Sequence, residues 1–158
     1  MVYRRVVLAV AAIVFFLTPS AARGDDVDTL KAFFDQEVKA LNSGDFNAYV
    51  AHVHDQVILF GIFPPFELEG IEAYRKRYQT LFATHQSVTF TPLNPQFRVI
   101  DCVGVAWGHD KVELKPKDGP LRVYAGRYTF IYMKADGKWV RVVAHASPPP
   151  SVEPLEGR

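Results

Sequence analysis

Apolar positions near the start of the folded chain recur at Val27, Leu30, Phe33, Phe34, Val38 and Leu41, the three-and-four spacing of an amphipathic helix, with Asp25 and Asp26 available as N-caps. Asn42-Ser43-Gly44 stops this helix, and Asp45 caps a short second one carrying Phe46, Tyr49, Val50 and Val53. Gln56 to Gly61 predicts a short strand. Ile62-Phe63-Pro64-Pro65-Phe66 follows as an apolar loop that proline keeps out of regular pairing. Gly70 then leads into a third helix with Ile71, Tyr74, Tyr78, Leu81 and Phe82 along one stripe. From Gln86 the period becomes two. Strands are predicted near 86–91, 96–101, 103–114, 121–133 and 138–147, separated by Pro92, Asn94-Pro95, Asp118-Gly119-Pro120 and Asp136-Gly137.

The last two runs form the strongest local signal. Asp136-Gly137 lies between segments rich in aromatic and β-branched residues, and its glycine readily takes the positive φ of a hairpin turn. Strict alternation along the second strand puts Trp139, Arg141, Val143, His145 and Ser147 on one face, and Pro148-Pro149-Pro150 ends the pairing. Helices first and an antiparallel meander afterwards argue an α+β fold, a curved antiparallel sheet packed on three N-terminal helices.

Composition narrows the class. Arg4-Arg5, the apolar run Val6 to Leu17 and Ser20-Ala21-Ala22 have the layout of a signal peptide, with cleavage expected after Ala22 and export to the periplasm or medium. The run is shorter than the roughly 20 residues of a membrane-spanning helix, so no membrane association is expected after cleavage. Removing Arg4 and Arg5 from 18 basic residues leaves 16 against 17 acidic ones, a formal charge of −1 that disfavours nucleic acid as a partner. One domain over residues 25–148 is expected, followed by a flexible tail, 149–158. Cys102 is the only cysteine, which excludes an internal disulfide and a thiolate zinc site; a small buried apolar role is expected for it.

Four segments in order, Asn42-Ser43-Gly44-Asp45-Phe46-Asn47-Ala48-Tyr49, Leu68-Glu69-Gly70, Leu93-Asn94-Pro95 and Asp136-Gly137-Lys138-Trp139 through His145-Ala146-Ser147, resemble the association (hub) domain of calcium/calmodulin-dependent protein kinase II. The wider group is the nuclear transport factor 2-like, SnoaL-like and ketosteroid-isomerase-like superfamily. The resemblance covers roughly residues 27 to 148. It implies a cone-shaped cystatin-like roll with a pocket between sheet and helices, and a homodimer or higher homo-oligomer formed through the sheet. By the spacing, cavity arginines of the hub fall at His109, near Phe130 and near Ala146, so its anion-binding pattern does not carry over.

Several residues are candidates for chemistry. His109 shares a strand face with Val105, Trp107, Lys111 and Glu113, and an imidazole there is a candidate general base. Arg127 and Thr129 leave one face of their strand; Tyr124, Tyr128, Phe130 and Tyr132 leave the other, and either face could be the concave one. A SnoaL-like Gly-Arg-x-Thr pattern raises Arg127 as a pocket residue, and an inward Arg127 would need a partner such as Glu113. His145, in a His-x-Ser pattern at the end of the last strand, is a second candidate proton carrier. Tyr49 and Tyr74 could turn hydroxyls into the cavity.

The ligand-binding set expected from sequence is therefore Tyr49, Trp107, His109, Arg127, Tyr128 and His145, with His109 and His145 as catalytic candidates. On a helix His52 and His54 would point about 200° apart, so both reach one ion only if the helix has ended before them. Neither metal nor cofactor is expected. An isomerase-type mechanism needs a carboxylate base in an apolar pocket; Asp101, Asp110 and Glu113 lie near strand edges or ends, with no pair at a diagnostic spacing. The leading expectation is a domain that binds a small, partly apolar ligand and forms homodimers. An isomerase, cyclase or dehydratase using a pocket histidine is the alternative, and an oligomeric adaptor using the Ile62–Phe66 loop is a third reading.

Overall fold

The structure, a computed structural model, describes residues 22–148; the expected leader apart from Ala22, and the tail from residue 149, lie outside the described residues. The elements run α1 (Ala22–Ser43), α2 (Phe46–Val50), β1 (Val53–Phe60), β2 (Glu67–Glu69), α3 (Ile71–Thr84), β3 (His85–Ile100), β4 (Val103–Pro116), β5 (Arg122–Ala135) and β6 (Lys138–Ser147). One six-stranded sheet, ordered β2-β1-β6-β5-β4-β3, packs its concave face on the helices. β3 to β6 form the expected antiparallel meander. β1 joins β6 in parallel, so the sheet is mixed.

α1 buries Leu30, Phe34, Glu37 and Leu41, spaced by four, three and four, against the sheet. Asn42, expected only to end the helix, clamps α1 to the sheet. Its Nδ2 donates to Phe90 O (3.0 Å) and its Oδ1 accepts from Phe90 N–H (2.8 Å). The Asp45 carboxylate accepts from Ala48 N–H and starts α2 as its position predicts.

Val53, expected on the second helix, opens β1, and β2 lies where no strand is expected. Two further strand expectations change. The segments 86–91 and 96–101 are one strand, β3, which survives Pro92 and Pro95 because it is an edge strand with one side free of pairing. The irregularity is absorbed as a register shift between Leu93 and Gln96, with Asn94 at φ 50°. The second change decides what reaches the core. β6 carries a bulge: Arg141 pairs with Tyr132 and Val143 with Ile131, leaving Val142 over. Trp139 and Arg141 therefore face inward while Val143 and His145 face outward, splitting a set that strict alternation would keep together. Cys102, expected to be buried, is exposed in the β3–β4 turn.

Candidate functional site

Between α1, α3, β1 and the concave side of β3–β6 lies a cavity of about 140 Å³. Its walls are mostly apolar, with Leu41, Leu59, Leu81, Phe90, Val112 and Tyr124 among them. Ile62 and Phe63, from the Ile62–Phe66 loop, line the cavity, while Phe66 of the same loop is strongly exposed. Arg77 of α3 donates from Nη1 to Pro64 O (3.0 Å), fastening the loop to the helix.

The polar focus of the cavity is Asp110 on β4. Alternation turns Ala106, Gly108, Asp110, Val112 and Leu114 toward the helices, so one carboxylate stands in a row of small and apolar side chains. Asp110 is 3 % exposed, and its Oδ1 has no hydrogen-bond partner among the described residues. Gly126, paired with Asp110 across β4–β5, leaves the space the carboxylate occupies: a Cβ there would collide with Asp110 Oδ1 and stand 3.2 Å from Ser147 O. Burial pushes the Asp110 carboxyl above the usual carboxylate range, opposed by its own backbone N–H and by the neighbouring His109.

Tyr128 is the diagonal neighbour of Asp110, since Gly108 pairs with Tyr128 and Asp110 with Gly126. It is 2 % exposed, and its hydroxyl also lacks a partner among the described residues. A Cβ at Gly108 would meet that hydroxyl at 3.1 Å, so glycine makes room for the ring as Gly126 does for the carboxylate. Burial, and then the charge of Asp110, raises the Tyr128 phenol above its ordinary value.

A second polar cluster lies within the core, with Glu37 Oε1 and Arg141 Nε unpaired among the described residues. Arg141 Nη2 donates to Glu37 Oε2 (2.6 Å), and Nη1 donates to the hydroxyls of Tyr49 and Tyr74 (both 3.0 Å). Tyr132 donates to the same Glu37 oxygen (2.8 Å), and Tyr74 donates to Tyr49 (3.1 Å). Phe130 stacks under the guanidinium at 4.5 Å. Burial pushes the Glu37 carboxyl up, and the guanidinium beside it pulls the other way. Tyr78 joins this cluster to the cavity, lining the cavity while its ring lies 4.7 Å from those of Tyr49 and Tyr74.

The sequence-derived site residues separate accordingly. Tyr128 is on the inner face. Tyr49 is also inward, but its hydroxyl is committed to Arg141 and Tyr74. Trp107, His109, Arg127 and His145 project from the outer face: His109 and Arg127 are paired neighbours one residue removed from the inward Asp110 and Gly126, and His145 pairs with Thr129 beyond the bulge. His109, Arg127 and His145 are exposed, and none of the four lines the cavity. Glu113 pairs with Lys111 (2.9 Å), not with Arg127. His54 Nδ1 accepts from Gln56 N–H, and His52 packs edge-on to Phe33. Among the described residues no group of three or more His, Cys, Asp or Glu is placed to hold a metal. The signal for Asp110 was an acid at an inward position of a strand whose other inward residues are small or apolar.

A helix-capped cone of this kind defines the SnoaL-like and nuclear transport factor 2-like class. The family model of the SnoaL-like domain matches residues 30–151, and the chain belongs to that family. A Xanthomonas campestris protein assigned as a calcium/calmodulin-dependent protein kinase II association domain shares 23 % identity, with 78 % of this chain and 87 % of that one covered and a TM-score of 0.68. The association domain of the Caenorhabditis elegans kinase II matches at 18 % identity, 81 % and 99 % coverage and TM-score 0.63. A Streptomyces avermitilis protein of the NTF2-like family, assigned as a dehydratase, matches at 16 % identity, 81 % and 99 % coverage and TM-score 0.72. At these identities the likeness is one of fold. No curated protein matches the sequence.

Proposed function

We propose that this domain binds a small ligand with a largely apolar body, about the size of one six-membered ring, and a hydrogen-bond donor turned toward Asp110. The observation that carries this reading is the buried Asp110 Oδ1, unpaired among the described residues, in a largely apolar cavity of about 140 Å³. A dry apolar void of about 150 Å³ accepts benzene, which sets the ligand's scale. A buried acceptor left without a partner costs about 1–3 kcal/mol, so a donor supplied by the ligand recovers that penalty. Phenol and toluene test it, with binding followed by amide shifts of cavity residues in NMR titrations. Phenol is expected to bind about tenfold more tightly, and Asp110→Asn to reduce the difference. Equal affinities for both probes in both proteins would sink the assignment.

One observation favours a second reading, proton transfer of the isomerase or dehydratase kind: Asp110 lines the cavity with an oxygen unpaired among the described residues. Its diagonal cross-strand neighbour Tyr128, which does not line the cavity, carries a likewise unpaired phenol on the same inner face, so a carboxylate base and a hydrogen-bond donor share one side of the sheet. Asp110, not His109 or His145, is then the proton carrier. Deuterium uptake at the α-carbons of cyclohexanone in D2O would be accelerated by the protein and not by Asp110→Asn; no acceleration by either removes this reading. Export rests on the leader-like residues 1–22, and N-terminal sequencing of protein from culture fractions tests it. Homodimerisation would use the outer face of β4–β6, where Val105, Trp107, Ile131 and Val143 are only half-buried. Sedimentation showing a monomer at micromolar concentration would exclude it.

A further inference from the structure

An outer recess of about 230 Å³ adjoins the inner cavity and shares with it Phe63, Arg77, Leu81, Leu114 and Tyr124; in the reading below it serves as the cavity's mouth. The character of the walls changes along this path. Asp110 is the only acid on the inner lining. The mouth is lined by Arg77, Arg122 and His85 together with Thr80 and Thr84, and by no acid. Arg122 shares the inward parity of Tyr124 and Gly126 on β5, and pairs with Leu114, which lines both chambers.

Arg77 and Arg122 are not engaged by any acid among the described residues. The ion pairs among the described residues join Lys31 to Asp28, Lys111 to Glu113, Lys134 to Asp26 and Arg141 to Glu37, and none involves Arg77 or Arg122. Arg77 spends one bond on Pro64 O, which leaves most of its guanidinium donors available. His85 Nδ1 sits 2.9 Å from both Leu81 O and Thr84 Oγ1, while the Thr84 hydroxyl donates to Thr80 O (2.7 Å). The ring proton of His85 therefore belongs on Nδ1.

Building on the ligand-binding reading above, we propose that the ligand is a small carboxylic acid, bound with its ring in the cavity and its carboxylate in the mouth between Arg77 and Arg122. The planar guanidinium fork matches a carboxylate in geometry and charge. Asp110 at the far end makes the site polar in direction. A carboxylate turned inward would meet a like charge in a low-dielectric pocket, whereas a hydroxyl turned inward gives Asp110 its missing donor. The two ends thus select an acid carrying a donor on the opposite side of its ring.

Isothermal titration with 4-hydroxyphenylacetate and its neutral amide, 4-hydroxyphenylacetamide, tests this directly. The acid is expected to bind about tenfold more tightly than the amide at low salt, with the gap narrowing as ionic strength rises. Arg122→Gln, at an exposed position that leaves the core untouched, is expected to erase most of the gap while leaving the affinity for the amide within about twofold. Arg77→Gln should do the same, and Arg122→Gln decides the matter if loss of the Pro64 tether disturbs the fold. Equal binding of acid and amide, indifferent to Arg122→Gln, would overturn the carboxylate assignment and leave the ring-binding cavity standing. Phenol binding with neither acid nor amide binding would also overturn it. Failure of phenol as well would remove the cavity reading itself.

Discussion

Arg141→Met removes the hub of the buried polar cluster, and its cost follows from what is left behind. The guanidinium donates to Glu37 Oε2 at 2.6 Å and to Tyr49 and Tyr74 at 3.0 Å, and both ion-pair side chains are 2 % exposed. Methionine fills much of the volume but leaves the Glu37 carboxylate buried beside Tyr132 alone. Breaking one half of a buried pair costs about 3–5 kcal/mol. For a domain of this size that lowers Tm by about 10–20 °C. Urea denaturation followed by tryptophan fluorescence measures the loss, since Trp139 is packed against the same sheet face. The double variant Glu37→Gln/Arg141→Met removes the orphaned charge while keeping an acceptor for Tyr132, and is expected to recover about 2 kcal/mol of the loss. A pH series adds a signed check. Without Arg141 the folded-state pKa of Glu37 rises further above its unfolded value. The single variant's deficit is therefore largest at neutral pH and shrinks as pH falls toward the ordinary glutamate range, where both states are protonated. A deficit under about 1 kcal/mol at pH 7, or one that grows on acidification, would refute this account of the cluster.

Other expectations are as definite. Asp110→Asn should raise stability at pH 7 by about 1 kcal/mol, because an unpaired carboxylate leaves the core. Since burial raises the folded pKa of Asp110, wild type carries this penalty above that pKa and sheds it as pH falls to the unfolded value; the advantage of Asn should vanish there, and a destabilised Asn variant at pH 7 would contradict this. Gly104→Ala should cost about 1–3 kcal/mol in thermal melts, because the added Cβ would sit 2.8 Å from Leu30 Cδ2 and 3.0 Å from Trp139 Cζ3. Asn42→Ala, which strips both bonds from Phe90, should cost about 1–3 kcal/mol and raise amide exchange at Phe90. His109→Ala and His145→Ala should leave both stability and phenol affinity within about twofold of wild type, since both side chains are exposed on the outer face.

The elements were legible in the sequence wherever the determinant was local. The Asp45 cap, the stripe from Leu30 to Leu41 and the Asp136-Gly137 turn each act within one turn of helix or one hairpin, and each is where its pattern puts it. Features set by distant partners were not legible. Whether Pro92 and Pro95 interrupt a strand depends on that strand lying at the sheet edge, which is a property of the strand order. The bulge at Val142 arises in pairing with β5 and leaves no mark in β6 alone, and through it the sequence grouping of Arg141 with His145 fails. The candidate site suffered from one further ambiguity. Alternation divides β4 into a face with His109 and a face with Asp110, and nothing within the strand itself says which of the two turns outward. The packing of Leu30 against Gly104 on the Asp110 face settles the choice, and residues 30 and 104 lie 74 positions apart in the chain.

The spare residue in β6 has a further consequence, for changes in chain length. Because Val142 stands outside the ladder, a chain lacking it would run from Arg141 to Val143 in regular register, with Arg141 still inward and His145 still outward. The strand therefore holds slack for one deletion and none for an insertion. Adding a residue between Arg141 and Ala144 must either widen the bulge or roll His145 and Ser147 to the inner face, toward the apolar cavity that Ala146 borders. Deletion of Val142 is expected to be the milder of the two length changes when their stabilities are measured side by side. Related chains that differ here by one residue would carry the same inward side chains at a different spacing.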